Sequence, residues 1–106
     1  MSERTPEEYF RTAIDKTPSR DDREAAIDAL IDIEAYDKLT IIVQMGGLDG
    51  PYRRRALNGL AEADCHDRLE TIIENGSLTG ALRDDAEQLL HSDFNAHLLT
   101  IKNLHL

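Results

Sequence analysis

The chain repeats itself every 30 residues, and this period constrains its fold more than any other feature. Residues 22–51 align with residues 52–81 without a gap and are identical at nine of the thirty positions. A third copy begins at Leu82 and keeps the same register through Leu90. A period of this length is typical of stacked supersecondary units, because each unit buries its apolar face only against a neighbour. The identical pairs are Arg23 and Arg53, Ala26 and Ala56, Leu30 and Leu60, Asp37 and Asp67, Leu39 and Leu69, Ile42 and Ile72, Gly46 and Gly76, Leu48 and Leu78, and Gly50 and Gly80.

Within each copy the apolar residues follow helical spacing. Ala26, Ile27, Leu30 and Ile33 share one stripe of a first helix, and Leu39, Ile42 and Val43 share the stripe of a second. Each copy therefore predicts a helical hairpin. The predicted fold class is all-α: a short right-handed α-solenoid of about three hairpins, an α-α superhelix. We expect a single domain over residues 1–106, with an N-terminal half-repeat cap at 5–17, repeats at about 20–50, 51–80 and 81–106, and seven helices in all.

Capping residues mark the starts of the predicted helices. Thr5 precedes Pro6 and begins a capping box, and Ser19 stands before the helix expected near residue 20. Asp49 lies just upstream of Pro51, which we place at the first helical position, where a missing N–H costs nothing. We therefore expect the side chain of Asp49 to cap this helix.

Glycines mark the predicted helix ends. Gly46-Gly47 and Asn75-Gly76 stand where a helix commonly ends in a left-handed residue. Both pairs belong to a recurring Gly-x-Leu-x-Gly loop. We expect its leucines, Leu48 and Leu78, to point into the gap between successive hairpins.

An acidic excess narrows the range of partners. Twenty-one acidic residues against twelve basic ones give a formal charge of -9, which opposes approach to nucleic acid or an anionic membrane and favours cationic or neutral partners. Most of the acids are Asp, and arginines outnumber lysines. This bias suggests a salt-loving source, against the alternative of an ordinary acidic mesophile protein. Loss of helicity on dilution into low salt would distinguish the two.

The cysteine count and the apolar runs bear on location. The single Cys65 cannot form an internal disulfide, and no apolar run follows the charged start of the sequence. The longest uninterrupted apolar stretch, Ile41 to Val43, is too short to cross a bilayer. We expect a cytoplasmic protein that does not enter the membrane.

The segment from Tyr52 to Leu60, echoed by residues 22–30 and 82–90, resembles the short HEAT-like repeats of the phycobilisome-lyase type. In that family a hydrophobic residue and an arginine open the first helix, and an Ala-x-x-x-Leu spacing packs it. The arginines at 23, 53 and 83 match, whereas Asp22 stands where an apolar residue is usual. The resemblance covers roughly residues 20–100 and implies a curved solenoid.

The resemblance leaves three functions open, because one fold can host several. Members of such families mostly serve as scaffolds and binding surfaces, so the leading prediction is a non-enzymatic protein-protein interaction module without a cofactor. The alternative is an accessory subunit or lyase-like enzyme acting on a bound chromophore or modified residue. A nucleic-acid-binding domain, as in the HEAT-like DNA glycosylases, is third and is disfavoured by the charge of -9.

Arginines supply the first candidate contacts. Arg54 and Arg55 break the repeat and concentrate positive charge in an acidic chain, so we predict that they contact a partner. The alternative is that they are solvated counter-charges. The recurring arginines can line a binding face or pair with acidic neighbours, and the pairing is favoured. Those arginines are Arg23, Arg53 and Arg83, and the neighbours are Asp21, Asp49 and Asp84.

The C-terminal segment supplies the second candidate. Residues 97–106 carry more apolar side chains than one helical stripe needs, although a terminal repeat is normally polar on its outer face. We predict that Leu98, Ile101 and Leu104 contact a partner protein or a second copy of the chain, in which case the chain is a homodimer.

No catalytic or metal-binding residue is predicted. The histidines at 66, 91, 97 and 105 lack the spacing of metal ligands. Cys65 beside His66 is the one pair that suggests a reactive thiol, because the start of a helix can lower a thiol pKa. The alternative is that Cys65 fills the hairpin turn as a small residue, as Ala35 does one repeat earlier.

Overall fold

The computed structural model describes residues 4–91, which are helical apart from short connections and contain no strand within that range. This confirms the all-α, helical-repeat fold. The seventh predicted helix, near residues 93–104, lies outside the described residues. The helices are α1 (Pro6–Ile14), α2 (Arg20–Asp32), α3 (Tyr36–Gln44), α4 (Gly50–Glu62), α5 (His66–Glu74) and α6 (80–91).

The helices alternate between two layers, as a hairpin repeat requires. The first-helix layer contains α2, α4 and α6, and the second-helix layer contains α1, α3 and α5. Helix α4 begins 30 residues after α2, and α5 begins 30 residues after α3. Helix α1 packs on α2 and α3 packs on α4, so these second-type helices pack on the first-type helix that follows, while α2 packs beside α4 and α1 beside α3.

Aliphatic side chains fill the space between the layers. The two loop leucines, Leu48 and Leu78, are buried among them, as predicted. Burial of a large aliphatic side chain stabilises the fold by about 1.5–3 kcal/mol, so this stripe dominates the stability of the stack. The largest fully buried side chains are Ile27, Leu30, Leu39, Ile42, Val43, Leu57, Leu60, Leu69, Ile72 and Leu78.

Two of the three predicted N-caps are confirmed. The Thr5 hydroxyl accepts the Glu8 amide at 3.2 Å, and the Ser19 hydroxyl accepts the Asp22 amide at 3.1 Å. The prediction for Asp49 is wrong, because its side chain makes no capping hydrogen bond. Helix α4 begins at Gly50, so proline occupies the second position and offers no N–H there, while the next amide donates to the backbone carbonyl of Asp49 at 3.2 Å.

The glycine prediction holds at the end of α5 and fails at the end of α3. Gly76 has a φ of 77° and follows α5 as the left-handed residue that the sequence predicts. Neither Gly46 nor Gly47 has a positive φ. The chain leaves α3 through Met45 in an extended conformation (φ -78°, ψ 97°), and the Leu48 amide then donates to the Met45 carbonyl, so no left-handed residue is needed.

The turns within the hairpins contain the left-handed residues that sequence reasoning missed. Glu34 has a φ of 60° and Asp64 a φ of 59°, at equivalent positions of the two repeats. Both turns have the Schellman hydrogen bond from the amide two places past the C-cap residue. An acidic residue occupies the place that glycine usually takes. The bonds run from Ala35 N to Leu30 O at 2.9 Å and from Cys65 N to Leu60 O at 3.0 Å.

Candidate partner-binding surfaces

Two of the three recurring arginines, Arg23 and Arg53, bind the ends of the preceding helices. Arg23 Nε donates to the Ala13 carbonyl at 3.1 Å, and Arg53 Nε donates to the Val43 carbonyl at 2.8 Å. These carbonyls lie in the last turns of α1 and α3, where carbonyl groups have no N–H donors from their own helix and the helix dipole favours a cation. The predicted pairing of these arginines with acidic neighbours is therefore wrong, because their partners are backbone carbonyls.

Arg23 also connects the first repeat to the second. Its guanidinium carbon lies 4.0 Å from the centre of the Tyr52 ring, which is a cation–π contact. The Arg23 side chain is buried, with 7% of its surface exposed. One residue thus contacts α1, through the Ala13 carbonyl, and α4, through the ring.

Arg83 departs from this pattern. Its Nε donates to Glu87 Oε1 at 3.1 Å within α6, and both side chains are about half exposed. The carbonyl that corresponds to Ala13 and Val43 is that of Ile73, which accepts the Gly76 amide at 3.4 Å. The left-handed turn after α5 thus supplies the donor that an arginine supplies after α1 and α3.

Arg55 pairs with acids of the adjacent first-type helix. Its Nε and Nη2 donate to the two carboxylate oxygens of Asp28, each at 2.7 Å, and its Nη1 lies 3.5 Å from Glu24 Oε2. The hydrogen bonds to Asp28 raise the pKa of Arg55 above its ordinary value. This bidentate pair connects α4 to α2.

Arg54 makes the corresponding connection to the last described helix. Its Nε lies 2.7 Å from Asp85 Oδ2 of α6. Both Arg54 and Arg55 keep more than two fifths of their side-chain surface exposed. A partner that bound them would compete with carboxylates of this chain, and the role of the two arginines as partner contacts stays a prediction. Leu98, Ile101 and Leu104 lie outside the described residues, so their role and the homodimer also stay predictions.

The surroundings of Cys65 do not activate a thiol. Burial raises the pKa of the Cys65 thiol above its ordinary value, and the nearby Arg68 only partly opposes this effect. The lowered pKa that the helix start suggests is therefore wrong. Cys65 packs against the core at the turn, as Ala35 does in the first repeat. A shallow depression of about 380 Å³ adjoins it, lined by residues 64–68. Within residues 4–91 no three His, Cys, Asp or Glu side chains gather as metal ligands would.

Two large apolar side chains are exposed in the described part of the chain. Ile33 and Ile41 each have 45% of their surface exposed. The second repeat has Ala63 and Thr71 at these positions, and α1 has Arg11 where α3 has Ile41. The repeat itself therefore does not require an isoleucine at either place. The apolar stripe predicted to run from Ala26 through Leu30 to Ile33 is wrong at its last member, because Ile33 is the C-cap residue of α2 and is exposed. Sequence reasoning did not single out Ile41, although its alignment with Thr71 contains the signal.

Ile41 lies on the outward side of the second-helix layer. On one side of α3, the Lys38 amine lies 5.3 Å from the Phe10 ring of α1. On the other side, α5 contacts α3 through an ion pair and a hydrogen bond that lie one turn before and one turn after Ile41. These join Arg68 Nη1 to Asp37 Oδ1 at 2.7 Å and Asn75 Nδ2 to Gln44 Oε1 at 3.1 Å.

Ile33 lies on a different surface, at the N-terminal end of the first-helix layer. It ends a stripe of α2 at spacing i, i+3, i+7 and i+11. The same stripe of α4 packs on α2. The α2 stripe consists of Asp22, Ala25, Ala29 and Ile33, of which three are exposed and Ala29 is partly buried.

No protein-family model, curated protein or solved structure matches this chain. The HEAT-like resemblance therefore stays a prediction. None of the described helices combines the length and apolar character needed to cross a bilayer.

Proposed function

We propose that this chain is a non-enzymatic protein-interaction module, a small HEAT-like solenoid that binds another protein in the cytoplasm. The observation that supports this most is the exposure of Ile33 and Ile41 at positions where the other copies carry smaller or more polar residues. When a partner covers the exposed half of an isoleucine side chain, the burial contributes about 1 kcal/mol to the free energy of binding. Two such residues mark two separate surfaces for contact.

The charges of the described surface favour a protein partner over nucleic acid. Arg54 and Arg55, the adjacent exposed arginines, are paired with Asp85 and Asp28, so they add little free positive potential. With a chain charge of -9, a cationic or neutral protein surface is the complementary partner.

Affinity capture from the native host, at the host's own salt concentration, tests the proposal. The bait is the wild-type chain, compared with Ile33→Ala and Ile41→Thr, which install the residues of the second repeat. We expect a specific protein to be retained by the wild type and lost from at least one of these variants. Equal retention by all three baits contradicts the proposal. Retention of a pigment or of nucleic acid in place of a protein favours the alternative functions.

A swap variant controls for non-specific stickiness. The double change Ile41→Thr with Thr71→Ile keeps the composition and moves the exposed isoleucine by one repeat. If Ile41 makes a specific contact, the swap variant loses the partner as Ile41→Thr does. If the swap restores capture, the isoleucine acts only as a sticky group, and Ile41 no longer supports the proposal.

A further inference from the structure

The N-terminal end of the stack leaves open the place where another first-type helix would pack. In the seam between α2 and α4, the α4 stripe meets Arg23, Asp28 and Ile31 of α2. That α4 stripe consists of Tyr52, Arg55, Gly59 and Ala63. The equivalent α2 stripe has no first-type helix against it within residues 4–91. We call this surface the N-terminal end face: Asp22, Ala25 and Ala29 of α2 and its C-cap residue Ile33, with Tyr9 and Thr12 of α1.

Small side chains shape this face into a depression. It has a volume of about 350 Å³ and lies between α1 and α2, with Tyr9, Thr12, Asp22 and Ala25 among its lining residues. Asp22 and Ala25 occupy the positions of Tyr52 and Arg55, the large side chains of the α2–α4 seam. Tyr9 and Thr12 take the positions of two core residues of α3 that the hairpin buries completely, which are Leu39 and Ile42.

We propose that the N-terminal end face binds a basic helix of a partner protein, which adds one first-type helix to the stack. This inference rests on the proposed function and names the surface and the chemistry of the partner. Asp22 lines the depression together with the cation Arg4, and the exposed Asp21 and Asp32 stand at helix positions next to the α2 stripe. Charge complementarity therefore favours a cationic occupant. A second copy stacked through α6 would bring Arg83 to Asp22, but it is disfavoured because His91 would stand at the position of Ile31, where the end face has Ala29 in place of Gly59.

The α2–α4 seam indicates what the occupant must carry. Arg23 lies over Tyr52 in that seam, so a cation at the same position of the occupant would meet Asp22 and form an ion pair. Ile31 packs so closely on Gly59 that a Cβ at Gly59 would lie 2.6 Å from the Ile31 side chain. The equivalent residue of the end face is Ala29, which has a Cβ. The occupant therefore needs a residue smaller than isoleucine at the Ile31 position. An apolar residue of the occupant would cover Ile33.

A stapled helical peptide serves as the probe. It has the sequence of residues 19–35 of this chain with Asp21→Lys, Glu24→Lys, Asp28→Lys and Ile31→Ala, which together give a net charge of +2. Its termini are blocked, and a hydrocarbon staple on its outward side ensures that helix formation does not limit binding. The control peptide carries Ile31→Ala and the same staple but keeps Asp21, Glu24 and Asp28, for a net charge of -4. Each peptide is titrated into the full ¹⁵N-labelled chain, and the amide signals are followed by NMR.

We expect the basic peptide to shift the signals of the N-terminal end face and to bind more tightly than the control peptide. Ile33→Ala should weaken binding about tenfold, because it removes half-exposed apolar surface that the peptide covers. Asp22→Asn should weaken it two- to fivefold through loss of an exposed ion pair. Ile41→Thr should leave the affinity unchanged.

Three results would overturn the inference. They are equal affinities of the basic and the control peptide, NMR shifts confined to other surfaces, or an affinity that Ile33→Ala does not change. The capture experiment separates this inference from the proposed function. A native partner that depends on Ile41 and not on Ile33 overturns the end-face inference and leaves the interaction function standing. A partner that depends on neither residue contradicts both.

Discussion

Replacing Arg23 by methionine should destabilise the fold far more than the same change at Arg83. The two residues occupy equivalent positions, and each change removes one positive charge and leaves an unbranched side chain. Their contacts differ, however. Arg23 is buried and donates to the Ala13 carbonyl, whereas Arg83 is half exposed and pairs with Glu87 one turn along the same helix. The comparison therefore isolates the contacts from the charge.

The structure sets the size of the expected difference. A hydrogen bond from a charged donor contributes about 1.5–3 kcal/mol to the free energy of unfolding. Arg23→Met removes the bond that Arg23 Nε donates to the Ala13 carbonyl. The cation–π contact with Tyr52 adds about 0.5–2 kcal/mol. Since methionine keeps part of the packing, we expect Arg23→Met to cost about 3 kcal/mol. Arg83→Met should cost about 0.5 kcal/mol or less, as for other exposed i, i+4 pairs.

Urea unfolding followed by circular dichroism at 222 nm measures both values. If the contacts are as described, the urea midpoint falls markedly for Arg23→Met while the slope of the transition stays unchanged. The melting temperature should fall by about 4–8 °C for each kcal/mol lost. Equal losses of stability in the two variants would refute the reasoning, because charge alone would then explain the effect.

Three further changes test other parts of the structure. Glu34→Gly should raise the free energy of unfolding by about 0.5–1 kcal/mol, because the left-handed backbone at φ 60° strains a residue with a Cβ. The control Glu34→Ala keeps the Cβ and should give no such gain in the same urea assay. Gly59→Ala should destabilise by up to about 2 kcal/mol despite its better helix propensity, and Ile31→Ala in the same chain should reverse that sign in a double-mutant cycle. Iodoacetamide should alkylate Cys65 more slowly in the folded chain than in urea, with a rate-against-pH midpoint higher than that of the unfolded chain; equal rates and midpoints would contradict the raised pKa.

The spacing of apolar residues predicts the helices and their 30-residue register, because burial of one face dominates the stability of each hairpin. Leu30 and Leu60 illustrate this, since both follow from the repeat and both are fully buried. Thr5 and Ser19 are also predictable, because a hydroxyl just before a helix accepts one of the free N–H groups of its first turn. These are local rules, in which a residue and its near neighbours contain the whole signal.

The roles of the arginines were not predictable in full, because their partners are set by how helices meet. The repeat identifies Arg23 as structural, but nothing in its neighbouring residues points to a carbonyl ten residues earlier on another helix. The left-handed Glu34 is hidden for a related reason. Its strain is outweighed by the hairpin packing around it, and an acidic residue gives no local sign of a positive φ.

The exposed isoleucines are only partly predictable from the sequence. In a single helix Ile41 reads as one more apolar residue beside the core stripe, and only the comparison with Thr71 and Arg11 marks it as unusual. Ile33 becomes visible in the same way beside Ala63. The copies within the chain thus serve as their own reference, and departures from the repeat locate the surfaces that the stack does not use.

The central claim is that the exposed Ile33 and Ile41 bind a partner protein. Affinity capture with a chain that lacks both isoleucines tests this claim most directly. The double variant Ile33→Ala with Ile41→Thr carries the second repeat's residues at both surfaces. It should match the wild type in circular dichroism and in urea midpoint to within about 1 kcal/mol, because neither side chain belongs to the buried core. We predict that it no longer retains the protein that the wild type captures from the native host. A double variant that folds and retains the same protein in the same amount would contradict the claim.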